Sequence, residues 1–296
     1  MPTLSSTGYR FGLIGYPLEH SRSPQLHQAA LRACGLPGQY ELLPIPPDEV
    51  KGLARVIHAL RTGKRHGINV TIPHKTRVLA WVDELDPAAG AIRAVNTLVP
   101  RGGRVLGANT DAPGFWEDLV RAWPVWADGP ARGLILGAGG AARAVAYALL
   151  SRGWEVVVVA RRYAAAQQLL TDLSAPPERA RALDWQAFAR GEPAFGPEPW
   201  LIVNATPVGM WPHTNASPWP QHRAWPTRGA AYDLVYNPRV TQFMRQARAA
   251  GLPARDGLGM LVEQAVRAFV LWTNANPTCV RKAMAQTAGL ITAPNP

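Results

Sequence analysis

The sequence predicts an α/β protein of two domains, and three observations carry that prediction. Apolar runs of strand length alternate with segments of helix length along most of the chain, the order expected of mostly parallel sheets joined by crossover helices. A glycine-rich turn, Gly137-Ala138-Gly139-Gly140-Ala141-Ala142, stands between an apolar strand and a helix in mid-chain, with one strand–helix series before it and another after it. Hydrophobic residues make up 47% of the 296 positions and charged residues 17%, a globular composition in a chain long enough for two cores.

In chain order, the first strand reads 9–14 (YRFGLI). A helix follows from Pro24 to about Cys34, with Ser23 as N-cap and Pro24 at the first helical position, where a missing N–H is harmless. Strands are predicted near 40–45 and 67–72, and helices near 47–60 and 73–82. Residues 94–99 and 105–106 flank Arg101-Gly102-Gly103-Arg104 and predict a hairpin with a Gly-Gly turn. The second series opens with strand 133–136 (GLIL), the glycine-rich turn, a helix over 140–152 and strand 155–160 (EVVVVA). Further strands are predicted at 200–205 and 230–235, and the Trp- and Pro-rich stretch 211–228 is read as an irregular loop. Over 258–275, Leu258, Leu261, Val262, Ala265, Phe269 and Trp272 recur on one helical face, and Asn276-Pro277 restarts a final helix. The expected domains are 1–110 and 111–255. The helices of 256–296 return to complete the first, because nothing in the second series needs them to fill its sheet.

Composition narrows the function classes. The two cysteines, Cys34 and Cys279, rule out a disulfide scaffold and a cysteine-built zinc cluster, and the histidines offer no pair at ligand spacing, so no metal site is expected. No stretch approaches the ~20 apolar residues of a membrane span, and the opening MPTLSSTGYRFG is not a secretory signal, so a cytoplasmic protein away from membranes is expected. The net charge of +11 raises the idea of a nucleic-acid surface. Only Lys51, Lys64, Lys75 and Lys282 are lysine, however, and the arginines are spread along the whole chain. That is a compositional bias rather than a basic patch, and no nucleic-acid partner is expected. An anionic small substrate or a phosphorylated cofactor suits the charge.

Four clusters carry chemistry. In the glycine-rich turn, Gly137 permits the tight turn, Gly139 lets backbone N–H groups approach a pyrophosphate, and Ala142 allows close helix–sheet packing. The helix N-terminus then favours the anion, which reads as dinucleotide binding. The following strand ends at Ala160-Arg161-Arg162, with guanidiniums where an NAD site usually places a carboxylate; this reads as NADP. His20-Ser21-Arg22-Ser23-Pro24 puts two hydroxyls at a helix start, where a carboxylate would fit, although Ser23 taken alone is better explained as a cap. Asn69, Thr71 and Lys75, in NVTIPHK, lie at a strand end, and Asn96-Thr97 and Asn109-Thr110-Asp111 lie at the presumed domain junction.

Taken together and in order, HSRSP, NVTIPHK, AVNTL, GANTD, GAGGAAR, NATPVGM, YDLVYNPRVTQF and DGLGMLVEQA resemble the shikimate dehydrogenase family over about residues 9–272. The resemblance implies an N-terminal substrate domain, a Rossmann domain for NADP, and C-terminal helices that return to the first domain. It implies NADPH-dependent, reversible reduction of 3-dehydroshikimate to shikimate. The near alternative is a quinate/shikimate dehydrogenase with broader substrate or NAD use, and the serines at both 21 and 23 favour shikimate. The family's catalytic pair falls on Lys75 and Asp111. Its carboxylate grip falls on Ser21 and Ser23 with Tyr236 nearby, and its ring-hydroxyl contacts on Thr71, Asn96, Asp111 and Gln264. Its cofactor contacts fall on Gly137, Ala138, Gly139, Gly140, Ala141, Arg161, Thr206, Met210, Leu234, Gly257 and Met260. The chain departs from the family pattern at Ala160, commonly Asn, and at Ala165, where many members carry a second phosphate-binding Arg; Arg162 is expected to replace that Arg. The physics agrees with the roles, since a ketone reduced by hydride becomes an alkoxide that needs a positioned proton donor. A non-catalytic sensor on the same fold would not need that donor. A small-molecule enzyme, monomeric or homodimeric, is therefore expected.

Overall fold

The computed structural model describes residues 8–129 and 131–291. The chain forms two compact units, Met1–Gly114 with Leu261–Pro296, and Phe115–Met260. In the first, β1 (Tyr9–Gly15), α1 (Ser23–Ala33), β2 (Gly38–Pro44), α2 (Val50–Arg61) and β3 (Gly67–Val70) alternate, followed by β4 (Glu84–Leu85), α3 (Pro87–Ile92) and the hairpin β5 (Thr97–Arg101) and β6 (Arg104–Ala108). Helix α4 (Asp111–Ala122) carries the chain from the first unit into the second. The second unit holds β7 (Arg132–Leu136), α5 (Gly140–Leu150), β8 (Glu155–Ala160), α6 (Tyr163–Asp172), β9 (Ala180–Asp184), α7 (Trp185–Ala189), β10 (Trp200–Asn204), β11 (Gly229–Asp233), α8 (Gln242–Ala249) and β12 (Ala254–Arg255). Helix α9 (Leu258–Thr273) brings the chain back, and α10 (Pro277–Ala288) closes the first unit.

The first sheet has strand order β2-β1-β3-β5-β6-β4. Its β1 pairs in parallel with both β2 and β3, whereas β5 runs antiparallel to β3 and to β6. That reversal positions the chemistry. Thr97, at the start of β5, registers with Asn69 near the end of β3 and with Ala108 at the end of β6. One edge of the sheet thus gathers the segments after β1 and β3, the segment before β5 and the segment after β6. On the sheet, α2 buries Leu53, Val56, Ile57 and Leu60 at helical spacing against Ile14, Ile68 and Val70, each such side chain contributing roughly 1.5–3 kcal/mol of apolar burial. The returning segment is tied in by Trp272, whose Nε1 donates to the Leu98 carbonyl at 3.0 Å.

The second sheet is parallel throughout, in the order β12-β11-β10-β7-β8-β9. Strand order reverses between β7 and β10, the point at which open α/β sheets take ligands. Strand β10 is buried along its whole length, as a central parallel strand must be. The stretch 211–228 has no helix or strand, and the structure gives it a purpose. Trp219 is buried and stacks on Trp225 at 3.9 Å between centroids. The Arg223 guanidinium lies over Phe188 and donates to the carbonyls of Phe188 and Pro193. The loop therefore caps one end of this unit's core.

Two local expectations fail for physical reasons. The helix expected over 73–82 is a turn followed by a single 3₁₀ turn, Arg77–Ala80. The Lys75 carbonyl, which a helix would spend on residue 79, instead accepts from Val95 N–H at 2.8 Å, and His74 Nε2 bonds the Ile45 carbonyl at 2.7 Å. Ser23 does not cap α1: it is the first helical residue, Arg22 stands at the N-cap position without a side-chain bond, and Ser23 N–H donates to Ser21 Oγ at 3.3 Å.

Candidate functional site

In the first unit the expected polar residues converge at the sheet edge just described. Lys75 Nζ lies 2.6 Å from Asp111 Oδ2, and both side chains are largely withdrawn from water, at 19% and 8% exposure. Asp111 is the first residue of α4, so its carboxylate sits where a helix N-terminus favours negative charge. Its other oxygen accepts from Asn96 Nδ2 at 2.8 Å, and Asn96 Nδ2 also faces Gln264 Oε1 at 3.4 Å. Thr71 is set by its own N–H, which donates to the Ile14 carbonyl at 2.9 Å. Ser21 and Ser23 lie at the start of α1, after β1. This edge can hold a polyhydroxylated anion, and its ammonium can give or take a proton. Among the described residues, no cluster of metal-ligating side chains occurs.

The second unit builds its candidate site from backbone. Gly137 adopts φ +113, which side chains rarely tolerate, and a Cβ there would stand 3.0 Å from the Ala205 carbonyl oxygen. Gly139 is the N-cap of α5 without a side-chain bond, and a Cβ placed on it meets only open space. With Ala138, Gly140 and Ala141 this turn offers the N–H groups of a helix start beside an open cradle, which fits a pyrophosphate. Across the strand-order reversal, Thr206 is held by its N–H and Oγ1, which both donate to Asn204 Oδ1. Leu234 and Gly257 approach so closely that a Cβ on Gly257 would lie 2.2 Å from the Leu234 carbonyl oxygen. Arg161 and Arg162 are exposed after β8, with Arg162 as the N-cap of α6. Met210 is exposed, Met260 is buried, and Tyr236 is half-buried in the loop after β11.

Comparison with known proteins decides the family. A shikimate dehydrogenase substrate binding domain model matches residues 13–98, and a shikimate 5′-dehydrogenase C-terminal domain model matches 257–288. The shikimate dehydrogenase (NADP(+)) of Thermus thermophilus is 43% identical over 270 residues, 90% of this chain and 94% of that protein. That of Carboxydothermus hydrogenoformans is 39% identical over 280 residues, 94% and 96% of the two chains. This chain belongs to the shikimate dehydrogenase family. A crystal structure of shikimate 5-dehydrogenase from Thermus thermophilus, in complex with NADP(H) and shikimate, superposes with a TM-score of 0.77 at 38% identity, over 94% of this chain and 99% of that one.

Further residues, some of them from the same motifs, support the pair. Asn109 Oδ1 accepts from the N–H groups of Asp111 and Ala112 and caps α4, while Asn109 Nδ2 holds the Ala94 carbonyl. An Asn two positions before a helix start is a legible signal, and Ala112, Phe115 and Leu119 recur at helical spacing over 111–122 and are buried. Thr110 N–H donates to Asn96 Oδ1 at 2.7 Å. Asn69 Nδ2 donates to the Asn96 carbonyl and to Thr97 Oγ1, and Asn69 Oδ1 accepts from Tyr40 at 2.9 Å. Burial pushes the Tyr40 hydroxyl well above its ordinary range, so it stays protonated as that donor. On its ring face lies His27, stacked at 4.3 Å and held down to about 3 by burial, with Asn69 opposing the shift in part. Neither Tyr40 nor His27 carries a motif that sequence reasoning could have found. Gly114 lets α9 in: a Cβ there would stand 2.7 Å from Gln264 N, so only glycine permits the approach that brings Gln264 to Asn96.

In the second unit, Asp233 accepts from Asn204 Nδ2 and Thr241 Oγ1. Burial raises its carboxyl to about 6 against those bonds. Asp118 accepts both a fork from Arg255 and the Tyr232 hydroxyl, fixing α4 to β11 and β12.

Proposed function

We propose that this chain catalyses the reversible, NADPH-dependent reduction of 3-dehydroshikimate to shikimate, a step toward aromatic amino acids. The observation that carries the reading is the Lys75–Asp111 pair, an ammonium 2.6 Å from a carboxylate at a sheet edge lined with amides and hydroxyls, in a chain whose relatives are named shikimate dehydrogenase (NADP(+)). Lys75 gives the proton that the new alkoxide needs, and its charge stabilises that oxygen as it forms. Asp111 holds Nζ in place and accepts from a ring hydroxyl. Asn96, Thr71 and Gln264 orient the remaining ring hydroxyls. Ser21 and Ser23 bind the carboxylate, and Tyr236 assists them. In the reverse direction Lys75 takes up the proton of the reacting hydroxyl.

NADPH, when bound, would supply the hydride for reduction, and NADP⁺ would take it up in the reverse direction. Gly137 through Ala141 receive its pyrophosphate, and Thr206, Met210, Leu234, Gly257 and Met260 line its path. Arg161 and Arg162 face the 2′-phosphate, with Arg162 standing in for the Arg that Ala165 lacks. The first unit, Met1–Gly114 with Leu261–Pro296, serves as the substrate domain, and the second, Phe115–Met260, as the NADP domain. The protein works in the cytoplasm on a small molecule, as a monomer or homodimer, without nucleic acid. Among the described residues, no helix is long and apolar enough to cross a membrane.

Steady-state rates with shikimate and quinate, each with NADP and with NAD, test the reading. We expect the highest kcat/KM for shikimate with NADP. Equal use of quinate would overturn the substrate assignment, and equal use of NAD the cofactor assignment.

A further inference from the structure

Cys34 and Cys279 are the only cysteines of the chain, and the fold brings them together from 245 positions apart. Cys34 is the C-cap residue of α1, and Cys279 lies in the first turn of α10. Their Sγ atoms are 3.9 Å apart, and Cys279 Sγ also reaches the Ala33 carbonyl at 3.6 Å. Both side chains are half-buried, so a small oxidant can reach them.

The placement has a structural meaning. The first unit is discontinuous, with Cys34 in its N-terminal part and Cys279 in the part that returns after the second unit. The returning part is held to the body of the unit by non-covalent contacts, the packing of α10 on α1 and the Trp272 bond to β5. We propose that Cys34 and Cys279 are a dithiol site that closes to a reversible disulfide on reaction with a small-molecule disulfide, stapling the returning segment to the body of the unit. A disulfide needs its sulfurs about 2 Å apart, so closure brings the two Sγ atoms about 2 Å nearer than they stand in the reduced protein.

The chemistry balances as two exchanges. The Cys279 thiolate attacks a disulfide RS–SR, forming a mixed disulfide and releasing RS⁻. The Cys34 thiolate then attacks the Cys279 sulfur, forming the intramolecular S–S bond and releasing the second RS⁻. Two electrons pass from the protein thiols to the reagent, and the two thiol protons end on two RSH. Burial pushes the Cys34 thiol up to about 11, and the neighbouring Cys279 adds to the shift. The closing step is therefore slow at neutral pH and faster in mild alkali. Closing so long a loop restricts the unfolded chain far more than the folded one.

The test is oxidation of the whole protein with glutathione disulfide at pH 7 and pH 9, followed by alkylation under denaturing conditions, peptide mapping and thermal melting. We expect a monomer that has lost both free thiols, a cross-linked peptide joining Cys34 to Cys279, reversal by dithiothreitol, and a Tm several degrees above that of the reduced protein. Cys34→Ser and Cys279→Ser should each form only a glutathione adduct, with no such rise. Adducts on both cysteines of the wild type without a cross-link, a disulfide between two chains, or a cross-linked monomer that melts no higher would each overturn the proposal. None of these readouts uses turnover, so the outcome is independent of the catalytic assignment.

Discussion

The two units build their candidate sites from different material. In the first, the candidate side chains come from five separate stretches, Ser21 and Ser23, Thr71 and Lys75, Asn96, Asp111, and Gln264 from the returning helix, of which Lys75, Asp111, Asn96 and Gln264 are in direct contact. In the second, the working surface is mostly peptide backbone, set by Gly137 and Gly139 in one short turn. A side-chain site depends on long-range register, here Thr97 opposite both Asn69 and Ala108. A backbone site depends on a local turn and the helix after it. The first can lose its chemistry by deletion of one group, whereas the turn of the second is damaged by adding atoms.

The largest expected effect tests the side-chain site. Lys75→Ala should lower kcat by about 10³-fold while shikimate affinity changes by only a few-fold, because a positioned proton donor is worth roughly 10²–10⁴. Turnover within tenfold of wild type would remove Lys75 from the chemistry. Next comes His27, the buried support behind Tyr40. Its folded-state value of about 3 lies below the ordinary 6.5, so the unfolded chain binds the extra proton and stability is lost as pH falls from 6.5 toward 3. The loss should reach about 3 kcal/mol by pH 4. His27→Phe should remove that part of the slope in urea melts; an unchanged slope would show that other groups set it.

The backbone site gives a smaller effect of opposite kind. Gly139 has an ordinary negative φ and open space beside it. Gly139→Val should therefore fold with stability within about 1 kcal/mol of wild type yet raise KM for NADP on the order of 100-fold, since it fills the phosphate cradle. A matching loss of Tm would mean that the position is structural. The smallest effect belongs to Gly114, where a methyl group would press on α9 at Gln264. Gly114→Ala should raise KM for shikimate about tenfold, the scale of 1.4 kcal/mol, without altering KM for NADP. In a cycle with Gln264→Ala the two effects should fail to add.

Much of this molecule was legible before its structure. Strand and helix order, the hairpin at Gly102-Gly103 and the glycine turn followed from hydrophobic period and from glycine and proline chemistry, and the return of the last helices from the second series having no need of them. The candidate pair Lys75 and Asp111 came from motif order, not from any local signal that would have set them 2.6 Å apart. The features that escaped all depend on a partner far along the chain. The helix expected after Pro73 was lost because Val95 takes the Lys75 carbonyl. Arg223 gave no hint that it would lie buried over Phe188.

By itself, then, the sequence determined the period of each element, the turns that only glycine can make and the charges available for chemistry, since these depend on residues a few positions apart. Only the tertiary structure decided which carbonyls leave a helix for a strand, which amide meets which carboxylate, and that the chain's two thiols share one contact. Those outcomes depend on the register of an antiparallel strand and the packing of a returning helix, and neither is written in any one segment.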